Sequence, residues 1–95
     1  MRKYETTFIL NPELEESAIG ELIEKIKGII TNNNGEVVNV DNWGVRKLAY
    51  EIKKHNSGYY SVIQFNGTSE TVAELQRNFR IMDNVLRHII VRLDD

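Results

Sequence analysis

This sequence predicts an α+β fold: one four-stranded antiparallel sheet with two helices packed on a single face. Three observations carry the prediction. Two segments repeat apolar residues at helical spacing, four are rich in β-branched and aromatic residues, and the two kinds follow one another as β-α-β-β-α-β. Ninety-five residues, 41% of them hydrophobic, with one Pro and six Gly, suit a single domain over 1–95 built around one core.

Residues 3–10 set Tyr4, Thr6, Phe8 and Leu10 along one side of an alternating row, which reads as a strand. Asn11-Pro12 breaks it and opens a helix, because the N–H that Pro12 lacks has no partner in a first helical turn. Glu13, Glu15 and Glu16 then lie near the positive end of the helix dipole. Ile19, Leu22, Ile23, Ile26, Ile29 and Ile30 follow at the spacing of one buried stripe. Asn32-Asn33-Asn34-Gly35 ends the helix, with Gly35 as the residue free to adopt the left-handed conformation.

A long strand runs from Glu36 through Val37, Val38 and Val40 to Ile52, and Gly44 marks a bulge or bend within it. Residues 54–58 read as a turn and Tyr59 to Phe65 as the next strand, so the two strands form a hairpin. Thr68 or Ser69 caps a second helix carrying Val72, Leu75 and Phe79 on one face. Asp83-Asn84 turns into a last strand, Val85 to Leu93, with apolar residues on both faces. This order is the split βαβ, ferredoxin-like arrangement, with the second sheet face free of helices. It is expected to keep the first and last strands apart, or joined only through the hairpin strands. The open face and the strand edges are the places for a partner.

No cysteine is present, which excludes a disulfide frame, a thiolate zinc site and a thiol nucleophile together and suits a reducing compartment. Met1-Arg2-Lys3 passes at once into alternating residues, without the apolar run of a signal peptide or of a membrane span. The expected location is the cytoplasm. His55 and His88 lie in different elements, so no metal site is expected, and no Walker loop or dinucleotide glycine pattern calls for a cofactor. Ser57 and Ser61 have no base positioned by sequence, and an enzyme is not expected.

The net charge of −2 argues against strong non-specific binding to nucleic acid, but its distribution is uneven. Residues 1–45 are net −4 and residues 46–95 net +2. The candidate phosphate contacts are Arg2 and Lys3, Arg46 and Lys47, Lys53, Lys54 and His55, and Arg87 and Arg92. Spread over several strands, they suggest scattered contacts that position a protein without reading sequence. Arginine suits phosphate best, since guanidinium meets it bidentately. Residues 57–65 have a superficial likeness to the longer signature of RNA-recognition motifs, but Ser61 and Gln64 stand where aromatics belong. Arg77 and Arg80 are read as partners of Glu74 and Asp83 or of the helix C-terminus, and Trp43 as a cover for the sheet end. Tyr50 is expected half-buried with its hydroxyl offered to a partner, and His88 on the helix-covered side or its margin.

The run Gly44-Val45-Arg46-Lys47-Leu48-Ala49-Tyr50-Glu51-Ile52-Lys53 resembles the signature segment of the bacterial small-subunit ribosomal protein six family. Met1-Arg2-Lys3-Tyr4-Glu5 and Val85-Leu86-Arg87-His88-Ile89-Ile90-Val91 agree with it in the expected order. The resemblance implies a ferredoxin-like, ribosome-associated structural protein without substrate or cofactor. It implies binding to the central domain of small-subunit ribosomal RNA together with ribosomal protein eighteen, a basic partner that offsets the acidity of this chain. Residue by residue, Arg2 and Tyr4 match the family's basic-aromatic opening, Arg46, Leu48, Ala49 and Tyr50 its signature, and Arg87 the base in its last strand. With the other bases of the strands, the residues expected at RNA are Arg2, Lys3, Arg46, Lys47, Lys53, Lys54, Arg87 and Arg92, and those expected at the partner protein are Tyr4, Tyr50, Tyr60 and His88. Val45 falls where many relatives carry Lys or Arg, and Asp94-Asp95 falls where some have a long acidic tail. The alternative reading is a self-associating regulatory or small-ligand module on the same fold. An acylphosphatase, a third user of this architecture, needs a phosphate-cradling loop where Leu10-Asn11-Pro12-Glu13-Leu14 is acidic and free of glycine.

Overall fold

The computed structural model describes residues 1–93; the acidic-tail expectation at Asp94-Asp95 lies outside the described residues. The elements are β1 (Arg2–Leu10), α1 (Glu16–Asn32), β2 (Glu36–Ile52), β3 (His55–Gly67), α2 (Ser69–Ile81) and β4 (Val85–Arg92). The sheet order is β2-β3-β1-β4, antiparallel at each pairing. The first and last strands are therefore neighbours, contrary to the expectation that they lie apart: Phe8 stands opposite His88 and Tyr4 opposite Arg92. The two helical crossovers explain this. The α1 crossover leaves a gap beside β1 that β3 fills, and the α2 crossover carries the chain past β1 to its other edge.

Strand alternation sorts the side chains into two faces. Phe8 and Leu10 of β1 and Ile63 and Phe65 of β3 meet Ile19, Ile23, Ile26 and Ile30 of α1 and Leu75 and Phe79 of α2 in the main core. Phe8 and Phe79 pack with ring centroids 5.6 Å apart, and Tyr4 stacks on Phe65 at 5.5 Å. The buried hydroxyls are all bonded: Thr6 to the Ile89 carbonyl at 3.0 Å, Ser61 to Asn42 Oδ1 at 2.6 Å, and Thr71 to the Asn33 carbonyl at 2.7 Å. The Thr71 bond ties the start of α2 to the end of α1. Thr68 is the cap of α2, and its side chain and that of Thr71 bond each other's backbone N–H groups reciprocally.

Three local expectations change. Helix α1 starts at Glu16 rather than Pro12, because Asn11 Oδ1 accepts from the Glu13 N–H at 2.9 Å and the Asn11 carbonyl from the Leu14 N–H at 3.4 Å, closing a turn first. At its far end Asn34, not Gly35, takes the left-handed backbone (φ 65°). Gly35 is needed for space, since a Cβ there would come within 2.7 Å of both Ile30 Cγ2 and the Ile30 carbonyl oxygen. The hairpin turn is Lys53-Lys54, with φ 48° and 69°, and β3 begins at His55 instead of Tyr59. Ile52 pairs directly with His55, the geometry of a two-residue turn whose central residues both need positive φ. Gly44 has φ 83° at a break in the β2–β3 register, as expected of a bulge.

Candidate nucleic-acid interface

On the helix-free face, β2 departs twice from regular pairing near its C-terminal half. Asn42 opposes Ser61 and Gly44 opposes Tyr60, leaving Trp43 as an extra residue. Farther on, Lys47 opposes Ser57 and Ile52 opposes His55, so residues 48–51 bulge against Asn56. The bulge turns Leu48 inward, where it is buried with Ile9 and Leu86 in a second, smaller cluster edged by Ile52 and Tyr60. Leu86 reaches that cluster as an extra residue of β4, where the β1–β4 register shifts between Ile9 and Leu10. Gly58 leaves the room, because a Cβ at that position would overlap Ile9 Cγ2.

Above this cluster stand Tyr50 and Arg87. The guanidinium carbon lies 5.7 Å from the ring centroid, a cation–π distance, and Tyr50 remains 58% exposed. Trp43 stacks on Tyr60 with centroids 6.2 Å apart and 12° between ring planes, and its Nε1–H donates to Asp41 Oδ2 at 3.0 Å. Arg46, exposed, donates from Nη1 to the Val45 carbonyl at 3.2 Å. Lys47, Lys53 and Lys54 are exposed around the hairpin end.

The expected scatter of bases is therefore two groups. Arg46, Lys47, Lys53, Lys54 and Arg87 gather at the hairpin end of the sheet, while Arg2, Lys3 and Arg92 lie at the other, where the Leu93 N–H donates to the Lys3 carbonyl at 2.8 Å. The four residues expected at a partner also divide. Tyr50 and Tyr60 belong to the helix-free face, whereas Tyr4 and His88 are half-buried on the helix side, His88 stacked 4.8 Å from Phe79. Burial, and secondarily the charge of Arg80, holds the His88 imidazole below its ordinary pKa. Arg77 forks both guanidinium bonds onto Glu74 at 3.0 and 3.1 Å, and that bond lowers the pKa of the carboxyl. Ile9, Leu86 and Gly58, which shape the corner, were not singled out from the sequence. The available signal was Ile9, an apolar residue out of phase with the Tyr4–Leu10 row.

Among the described residues no three His, Cys, Asp or Glu side chains are grouped as metal ligands, and no helix is long and apolar enough to cross a membrane. The corner brings together aromatic rings, exposed cations and an apolar floor, a surface suited to adhesion.

Helices on one face, an open sheet on the other and a long β2–β3 hairpin define a ferredoxin-like α+β domain. The chain belongs to the ribosomal protein S6 family, whose model matches residues 3–92. It is 58% identical over 92 residues to the small ribosomal subunit protein bS6 of Clostridium perfringens, covering 97% of each chain. It is 53% identical over 94 residues to the protein of that name from Clostridium acetobutylicum, covering 99% of each. The crystal structure of 30S ribosomal protein S6 from Thermotoga maritima superposes with a TM-score of 0.93 at 36% identity, over 97% of this chain and 87% of that one.

Proposed function

We propose that this chain is a structural component of the small ribosomal subunit. In this reading it binds the central domain of small-subunit ribosomal RNA jointly with ribosomal protein eighteen and carries out no chemistry. Family membership supports the assignment, and one observation carries the RNA contact: five cations stand at the hairpin end of a chain whose net charge is −2. An acidic protein with its largest group of strand bases at one end of the sheet is drawn to phosphate most strongly there, which favours one docking orientation. The bases at the opposite end, Arg2, Lys3 and Arg92, add a second phosphate contact. The partner protein lies along the helix-free face of β4, where Ile89 and Val91 are 57% and 41% exposed.

Filter binding with a central-domain RNA fragment tests this directly. Weak retention by the chain alone and tight retention with the partner protein are expected; tight binding alone would refute the cooperative mechanism. Arg87→Ala lowers ternary affinity and makes the salt dependence shallower by up to about one unit of slope for a lost phosphate contact. An unchanged slope would remove Arg87 from the phosphate contacts.

A further inference from the structure

We propose that the cleft between the Leu48–Ile52 bulge and the end of β4 receives a single unstacked nucleobase from an RNA loop. The inference rests on the RNA-binding reading above and gives it a base contact in addition to its phosphate contacts. The cleft has a volume of about 190 Å³ and is lined by Ile9, Leu48, Tyr50, Ile52, Tyr60 and Arg87. Ile9 and Leu48 are buried beneath it, so its floor is apolar. Tyr50, by contrast, keeps more than half of a large ring in water, with the Arg87 guanidinium at cation–π distance.

A nucleobase matches each of these features. Its faces stack on tyrosine and guanidinium planes, its body fits an apolar slot, and the phosphates attached to it need cations at the rim. Cations are close along the chain: Arg87 lines the cleft, Arg46 and Lys47 precede the bulge, and Lys53 and Lys54 follow Ile52 in the hairpin turn, with Glu51 as the one carboxylate among them. The charge decides between occupants, since a basic protein segment meets repulsion here and a polyanion meets attraction. The irregular backbone supports the same use, because four residues, 48–51, bulge opposite Asn56, which buries Leu48 and leaves Tyr50 outside the core. Trp43, stacked against Tyr60, backs the wall formed by Tyr60. Tyr50 and Tyr60 are thereby assigned to RNA rather than to the partner protein. Stacking accepts any base, so discrimination among bases is weak.

The test is a methyl-labelled NMR titration of the full chain with hexaadenylate and, separately, with an abasic ribose-phosphate hexamer of equal charge. Hexaadenylate is expected to shift the Ile9, Leu48 and Ile52 methyls by its ring current; the abasic hexamer is expected to shift only backbone signals near the basic residues. Tyr50→Ala weakens hexaadenylate binding on the order of tenfold and leaves the abasic hexamer unaffected, whereas Tyr50→Phe retains the stacking and the affinity. Equal shifts from both oligomers, or unchanged binding by Tyr50→Ala, would overturn the base site while leaving phosphate binding intact. Ring-current shifts at these methyls on adding the partner protein without RNA would give the cleft to the protein and overturn the proposal. Silence with both oligomers would overturn the cleft, whereas the RNA reading itself fails only if the chain and its partner protein together also do not retain central-domain RNA.

Discussion

The two faces of the sheet bury apolar residues on different scales. On the helix side, twelve buried residues drawn from β1, β3, α1, α2 and the α2–β4 junction form one continuous core. On the other side Ile9, Leu48 and Leu86 form a small buried cluster that joins three strands at one corner, and Val62 is buried on the same face outside it. The large cluster removes most of the apolar surface from water and therefore decides whether the chain folds. The small one is too limited to decide that. It fixes the position of a bulged segment whose outward residues, Tyr50 above all, remain in solvent. A sheet face left without helices can thus spend its few buried contacts on shaping a surface.

The difference is open to direct attack. Phe8→Ala, in the completely buried centre of the helix side, is expected to cost about 3–5 kcal/mol in urea denaturation and to unfold the chain as a whole. Gly58→Ala pushes a methyl into Ile9 on the other face and is expected to cost about 1–3 kcal/mol. Its signature is faster amide hydrogen exchange confined to residues 46–60. Global acceleration, or a loss equal to that of Phe8→Ala, would mean that the faces share the stabilisation of the fold. The smallest effect concerns pH. His88 has a folded pKa below its ordinary 6.5, so the unfolded chain takes up this proton first and stability falls as pH drops from 6.5 toward the folded value. His88→Gln should flatten that part of the stability–pH curve, and an unaltered curve would show that packing on Phe79 does not disfavour the imidazolium.

Much of this was legible in the chain because its cues are local. The stripe Ile19, Ile23, Ile26 and Ile30 is one face of α1, Thr68 caps α2, and Gly44 sits at a break in register. The readings that changed were those where one local signal competed with another. Asn11 forms its own side-chain turn before the helix begins. Asn56-Ser57-Gly58 looked like a turn, yet it lies within β3, and two lysines take the positive-φ positions that glycine and asparagine usually fill. Gly58 serves clearance for Ile9 instead, a demand made by a residue forty-nine positions away in sequence.

Apolar period, proline and capping hydroxyls determined the six elements and their sequence along the chain, and the runs at residues 1–5, 44–53 and 85–91 carried the likeness to the ribosomal protein S6 family. Those cues act within a turn or two of backbone, so residues close in sequence suffice to express them. Only the folded sheet decided that β4 lies beside β1, that five bases collect at one end while Tyr4 and His88 face the helices, and that Arg87 comes to rest near Tyr50. Each of these depends on pairing register between distant strands, where one residue of slip moves a side chain to the opposite face.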